Sequence, residues 1–418
     1  MRFSTLAEWL DWQERLHPRA MDLGLERTGE VLAALDLTPP AGGVVTVGGT
    51  NGKGSCVACL DAMLRAAGRR PGAYTSPHLV RYNERIRIDG RTATDAEILD
   101  AFAHIDDARG ATSLTYFEFA TLAALWLFDA AGCDTWLLEV GLGGRLDATN
   151  VIDADVAVIT SVAVDHEHWL GSDRDAIGHE KAGIMRENRP VVLGDSDPPT
   201  AVLAHAEALG ARVIRCGRDF HIAEEGRRWT WASAERRLGG LPLPRLEGRH
   251  QLVNAACAIA ALEAFGCALP EQAVARGLAH AHMPGRFQIV RGAPEWIFDV
   301  AHNPAAAAAL ADNLARRPAA ARRHAILGML ADKDVRGFAR ALRPVIDRWY
   351  AADLGGLPRG LSDGELSARL AGLVEAEQAG TVEQACDLVT REAAAADSVL
   401  VCGSFHTVGA ALVHRGSI

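Results

Sequence analysis

The sequence predicts an α/β protein of two parts: an N-terminal P-loop ATPase domain built on a parallel-type sheet, and a C-terminal Rossmann-like α/β domain. Three observations carry that expectation. Short apolar strands alternate with alanine-rich helical stretches, the pattern of a parallel sheet covered on both faces. The β-branched run of residues 44–47 ends in the glycine-rich turn Gly48-Gly49-Thr50-Asn51-Gly52-Lys53-Gly54-Ser55. The chain has 418 residues, more than a single core usually organises, so two domains are expected.

In chain order, the first domain takes strands at 44–48, 136–140, 156–162 and 190–194. The helix after the glycine-rich turn carries Val57, Leu60, Leu64 and Ala67 on one face. Residues 220–246, with Trp229 and Trp231, alternate irregularly and suggest a β excursion. Helical pattern resumes through 252–265. At Met283-Pro284-Gly285-Arg286 a Pro-Gly turn breaks the chain, and the domain boundary is placed there, giving 1–283 and 284–418. A second alternating series follows, with strands at 296–300, 325–330, 349–352 and 399–402 and a helix over 305–314.

Composition narrows the function classes. Lys+Arg 43 against Asp+Glu 53 gives a net charge of −10, which argues against nucleic acid held by general basicity. No apolar run approaches the ~20 residues of a membrane span. Glu8 and Asp11 interrupt any apolar core near the N-terminus, so no signal peptide is expected. Eight scattered cysteines suit reduced thiols and a cytoplasmic setting. Cys56 and Cys59 have the spacing of a redox or zinc pair but no partner pair, and read as small buried side chains.

The turn at 48–55 is a strand, a phosphate-cradling loop and a helix start in the order that anion binding requires. Glycines let backbone N–H groups turn toward a phosphate, Lys53 supplies a point charge, and the Ser55 or Thr50 hydroxyl can reach Mg²⁺. The match to G-x-x-x-x-G-K-[ST] is imperfect, since Val47 replaces its first glycine and Gly54 separates Lys53 from Ser55. Glu139 ends a second apolar strand, where a carboxylate is costly unless a cation or donor meets it. It can hold Mg²⁺ or be satisfied by backbone donors of the glycine turn after it. Asp165-His166-Glu167-His168 follows a third strand. Further zinc ligands at regular spacing are missing, so one histidine facing Mg²⁺ or phosphate is the better reading.

At these residues the resemblance becomes specific. The loop 49–55 resembles that of the Mur ligase superfamily, ATP-dependent enzymes that join an amino acid to a carboxylate. Within it, the chain is similar to the dihydrofolate synthase/folylpolyglutamate synthase family over about residues 21–409. The matching segments include Thr75-Ser76-Pro77-His78-Leu79, Leu114-Thr115-Tyr116-Phe117-Glu118-Phe119, Glu180-Lys181-Ala182-Gly183-Ile184, Asp299-Val300-Ala301-His302-Asn303-Pro304 and Gly403-Ser404-Phe405-His406. The resemblance implies Mg²⁺ on Ser76, Glu139 and His166, and ATP held by Thr50, Asn51, Gly52, Lys53, Gly54, Ser55, Asn254, Arg286 and Asp299. It implies a carbamylated Lys181, a monovalent cation, and glutamate positioned by His302 and Ser404, with Lys53, Lys181 and His302 catalytic. Leu23, Gly24, Leu25, Arg27, Phe117, Asp147 and Ala148 would form a pterin pocket. The family pattern Gly-x-His-Asn-x-x-Asn-Ala is altered here, with Gln251 in place of its first asparagine.

The implied activity adds L-glutamate to dihydropteroate and to the glutamate tail of reduced folates, in a monomeric enzyme with small-molecule partners and no nucleic acid or membrane. Elementary chemistry agrees: joining an amine to a carboxylate at pH 7 needs a better leaving group than oxide, and ATP provides one as an acyl phosphate. Closure of two domains would then exclude water. The alternatives are a polyglutamylating ligase alone, a Mur-type ligase acting on a peptidoglycan precursor, and a nucleotide switch or transport ATPase. The last class has no need of Asp299, His302 and Ser404 in a second α/β domain.

Overall fold

In the computed structural model, which describes residues 2–417, the chain divides into two compact units. One comprises Met1–His78, Tyr82–Arg245 and Leu252–His282; the other comprises Leu79–Arg81, Leu246–Gln251 and Met283–Ile418.

The first unit is organised on an eight-stranded sheet. Its strands are β1 (Val44–Gly48), β2 (Pro71–Tyr74), β3 (Ile86–Ile88), β4 (Arg91–Thr92), β5 (Thr135–Glu139), β6 (Val156–Ile159), β7 (Pro190–Leu193) and β8 (Arg212–Arg215), in spatial order 4-3-2-5-1-6-7-8. From β2 to β8 every pairing is parallel; β3 and β4 add an antiparallel edge. The sheet is therefore mixed and mostly parallel, with β1 and β5 buried at every position, as a sheet covered on both faces requires. The β excursion is a separate antiparallel sheet of β9 (Phe220–Glu225), β10 (Arg228–Ser233) and β11 (Arg237–Pro242), with Trp229 and Trp231 buried on β10.

The helix after the glycine turn, Lys53–Ala66, departs from the one-faced pattern expected of it. Gly54 to Leu64 are all buried. Its second side is covered by the helix Glu271–His280, where a Cβ on Gly277 would fall 2.5 Å from the Met63 Cα. Only glycine permits that approach, and the buried helix that results has no polar face to show periodicity.

The second unit holds a six-stranded sheet of β12 (Gln288–Val290), β13 (Glu295–Phe298), β14 (Arg323–Leu327), β15 (Arg348–Asp353), β16 (Ala376–Thr381) and β17 (Ser398–Cys402), in order 12-13-17-14-15-16. All its pairings are parallel except that of β12 with β13. Two apolar clusters cover its faces, one around Phe338 and Trp349 and one around Trp296 and Tyr350. Among the described residues no helix is long and apolar enough to cross a membrane, and all eight cysteines are free.

Candidate active site

The strand order 2-5-1-6 sets four loops side by side at the carboxyl edge of the first sheet, the edge at which open α/β sheets bind ligands. Ser76 follows β2, Glu139 ends β5, the loop 49–52 follows β1, and 160–166 follows β6. Residues as far apart in sequence as Gly49 and His166 thus share one rim because of topology alone.

The glycine loop is held from beneath by its neighbour. The Thr50 N–H donates to the Ser161 carbonyl at 2.8 Å, and Thr160 Oγ1 donates to the Asn51 carbonyl at 2.7 Å. Thr50 Oγ1 donates to the Ala163 carbonyl and accepts from its N–H, both at 3.0 Å. Gly49 has φ +138°, and a side chain there would collide with Thr160 Oγ1. Asn254 lies against Gly52, where a Cβ would strike its amide. Lys53 is the first residue of the helix, half-buried, with Nζ donating to the Gly49 carbonyl at 3.0 Å and the Thr50 carbonyl at 3.4 Å. Ser55 is buried within the first turn of the helix that Lys53 opens.

Glu139 is 4 % exposed and accepts the Ser76 N–H at 3.1 Å, so those two expected metal residues adjoin. His166 is exposed in a left-handed conformation at φ +54°, just ahead of the short helix Glu167–Leu170. Among the described residues no three His, Cys, Asp or Glu side chains form a metal-ligating group. The expected set contains only two of those types. A carboxylate with a serine hydroxyl suits a hard, oxygen-preferring ion such as Mg²⁺.

Lys181 is 4 % exposed on the helix Arg174–Ala182, and its amine is lowered to about 7. Burial is the main cause and the nearby Lys53 charge adds to it, against the attraction of Asp165 and Asp147. About half of this side chain is therefore neutral at pH 7, an uncommon state for a lysine.

The expected pterin residues divide into two groups. Phe117, on the helix Tyr116–Ala130, packs against the loop after β5: a Cβ on Gly141 would be 2.6 Å from its ring. Asp147, on the same loop, is fully sequestered and accepts from the Leu142 N–H (2.8 Å), the Thr149 N–H (3.1 Å) and Thr149 Oγ1 (2.7 Å), capping the turn that starts at Ala148. Burial nonetheless raises its carboxyl above the ordinary aspartate range. The Gly141 N–H also donates to it, so donors of its own loop surround the carboxylate. Leu23 and Gly24 are half-buried, and Leu25 lines an open groove of about 580 Å³ with Gly29, Asn150 and Val151. Arg27 pairs with Asp22 at 2.8 Å and with Glu118 at 3.1 Å, so it ties this segment to the helix that carries Phe117.

In the second unit Arg286, Asp299, His302 and Ser404 also gather at the carboxyl ends of adjacent strands, β13 and β17. Asp299 accepts from the Phe287 and Ala301 N–H groups, both at 2.8 Å; burial raises its carboxyl, opposed by those donors and by the charges of Arg286 and His250. Phe405 organises the cluster: the Arg286 guanidinium stands 4.9 Å over its ring and the His302 ring centre is 6.1 Å away. The Ser404 hydroxyl caps the helix Phe405–His414, accepting the Thr407 N–H at 3.0 Å.

Sequence reasoning missed Thr160, Ser161 and Phe405. The first two look like ordinary strand-end hydroxyl residues, and only β1–β6 pairing shows what they hold. Phe405 was within reach, as an aromatic directly after Ser404.

Comparison with known proteins agrees in extent. Residues 47–262 match the Mur ligase middle domain, and 285–405 match the Mur ligase glutamate ligase domain. The dihydrofolate synthase/folylpolyglutamate synthase of Escherichia coli K12 is 48 % identical over 405 residues, covering 97 % of this chain and 94 % of that protein. A structure of E. coli FolC in complex with DHPP and ADP superposes with a TM-score of 0.95 at 46 % identity, covering 99 % of this chain and 98 % of that one. A bifunctional folylpolyglutamate synthase/dihydrofolate synthase with Mn, AMPPNP and L-glutamate bound gives 0.92 at 46 % identity, with the same coverage.

Proposed function

Because the chain belongs to the Mur ligase superfamily and, within it, to the dihydrofolate synthase/folylpolyglutamate synthases, we propose that it ligates L-glutamate both to dihydropteroate and to the glutamate tail of reduced folates. The supporting observation is one rim of the first sheet that holds a pinned phosphate loop, the Ser76–Glu139 pair and a half-neutral buried lysine.

ATP is the phosphoryl donor in this reading. A carboxylate oxygen of the acceptor attacks the γ-phosphorus, the bond to the β-phosphate oxygen breaks, and ADP leaves. Thr50 to Ser55 and Asn254 hold the triphosphate, with Lys53 set against the charge that builds on the transferred group. The amine of glutamate, once deprotonated, attacks the acyl carbon, and phosphate departs with the electron pair of the C–O bond. Arg286 and Asp299 serve the nucleotide, and His302 and Ser404 the incoming glutamate. A divalent ion held by Ser76, Glu139 and His166 would neutralise phosphate charge. Lys181 carries a carbamate, a monovalent cation is a further ligand, and the enzyme works as a cytoplasmic monomer without nucleic acid.

The test is release of ADP with ATP, Mg²⁺, dihydropteroate and glutamate, each omitted in turn, with product mass followed. A gain of one glutamyl residue that needs all components is expected, and likewise with tetrahydrofolate as acceptor. ADP release indifferent to acceptor and glutamate would identify a nucleotide switch or transport ATPase instead.

A further inference from the structure

Among the described residues six large apolar side chains are conspicuously exposed, and two of them, Val164 (40 %) and Trp169 (49 %), fall within six positions of each other in the loop after β6. Single exposed apolar residues are ordinary, but an exposed indole is a large area left to water. Between them sits His166 in the left-handed region, a conformation that non-glycine residues keep only where surrounding structure enforces it.

Both ends of this segment are fixed. At its root Ala163 exchanges two hydrogen bonds with Thr50 Oγ1 of the phosphate loop. At its far end Leu170, 5 % exposed, is packed so closely that a Cβ on Gly143 would stand 3.0 Å from its Cδ2. Gly143 belongs to the loop that runs on to Asp147 and Ala148. Trp169 is therefore held, exposed, on a span clamped between the phosphate loop and the proposed acceptor loop. It is not on a free-swinging segment.

We propose that Trp169 is a specificity-determining residue whose indole stacks on the aryl ring of an arylcarboxylate acceptor. This deepens the function proposed above and rests on it. The reasoning is geometric. In dihydropteroate the reacting carboxyl is bonded directly to the aryl ring, so that ring must lie within a few ångströms of the transferred phosphoryl group. The segment that carries Trp169 is anchored to the phosphate loop through Ala163, and its exposed indole is available to cover that ring through offset or edge contact. In a folate the reacting γ-carboxyl hangs on a flexible aliphatic chain, so the aryl ring lies farther from the transfer point and gains nothing from Trp169.

The experiment measures kcat and KM of the full-length enzyme for dihydropteroate, tetrahydrofolate and ATP in the parent, Trp169→Ala and Trp169→Phe. Trp169→Ala should raise KM for dihydropteroate about tenfold and leave KM for tetrahydrofolate and ATP within about twofold; Trp169→Phe should recover most of the loss. Because the side chain is exposed, thermal midpoints should match the parent's. An unchanged KM for dihydropteroate overturns the proposal. Equal losses on both acceptors also overturn it, and so does a rise in KM for ATP, since either would mean that Trp169 supports the loop in general. A parent without activity on either acceptor would strike at the proposed function, a result separable from all of these.

Discussion

Lys53 shows how a single residue is prepared for its task. Its ammonium already donates to two carbonyls of the loop it serves, so little side-chain entropy remains to be lost when a phosphate arrives. Lys53→Ala should lower turnover by about 10³-fold or more, the scale of losing one oriented charge at a transferring phosphoryl group. Circular dichroism should be unchanged, because the side chain is only half-buried. Turnover near the parent's would falsify the role given to the loop. Lys181 gives a prediction in pH. Its amine, lowered to about 7 chiefly by burial, is mostly ammonium below that value and mostly neutral above it. Carbamylation requires the neutral form, so the ¹³C-carbamate signal from labelled bicarbonate should grow as pH rises through about 7, and activity with it. The same shift has a stability consequence. Between about 7 and the ordinary 10.5 the unfolded chain binds the extra proton, so the burial penalty is full below the folded value and is relieved as pH rises. A signal absent at saturating bicarbonate above pH 8 would remove the carbamate.

At the scale of elements, the loop after β5 and the helix Tyr116–Ala130 form one device. Thr115 and Glu118 make a capping box that starts the helix, and Glu118 also receives Arg27, so one carboxylate fixes both the helix start and the segment 23–27. The helix then sets Phe117 on Gly141, and the next residue, Leu142, donates its N–H to the Asp147 carboxylate. Asp147→Ala should cut ligation of dihydropteroate far more than polyglutamylation of tetrahydrofolate. It should also lower stability by roughly 1–3 kcal/mol, because the Leu142 and Thr149 donors lose their acceptor. Parallel assays on the two acceptors with a thermal melt separate these effects, and equal losses in both activities would argue for a single shared pterin site. The capping box has the local form Thr-x-x-Glu before an apolar run, but the segment was read from the sequence only as a family match. The tie from Arg27 to Glu118 was not legible, because an ion pair between residues 91 positions apart leaves no local trace.

Across the whole molecule, legibility followed chain locality. The strands β1, β5, β6, β7, β13, β14, β15 and β17 stood out as short apolar runs, their observed ends shifted by a few residues at most. The short β2, beginning at Pro71, and the polar β16 were not read as strands. Yet β2 is the strand that carries Ser76 to Glu139, so the rim became visible only through pairing order. The second unit's Arg286, Asp299, His302 and Ser404 were legible as motifs, but the packing of Arg286 and His302 about Phe405 was not, although that aromatic directly follows Ser404. Nucleotide linkage gives a test at this scale. A ligand that binds only the native state stabilises it by RT ln(1 + [L]/Kd), about 2.7 kcal/mol at a hundredfold excess over Kd. AMPPNP with Mg²⁺ should therefore raise the thermal midpoint of the parent by several degrees, and the rise should shrink when Mg²⁺ is chelated. Glu139→Gln should lose most of the Mg²⁺-dependent part while keeping some of the rise due to nucleotide alone, since the glycine loop is pinned by Thr160, Ser161 and Ala163 independently of the metal residues. A midpoint that rises equally with and without Mg²⁺ would detach Glu139 from the metal and leave it as a carboxylate that merely caps the Ser76 N–H.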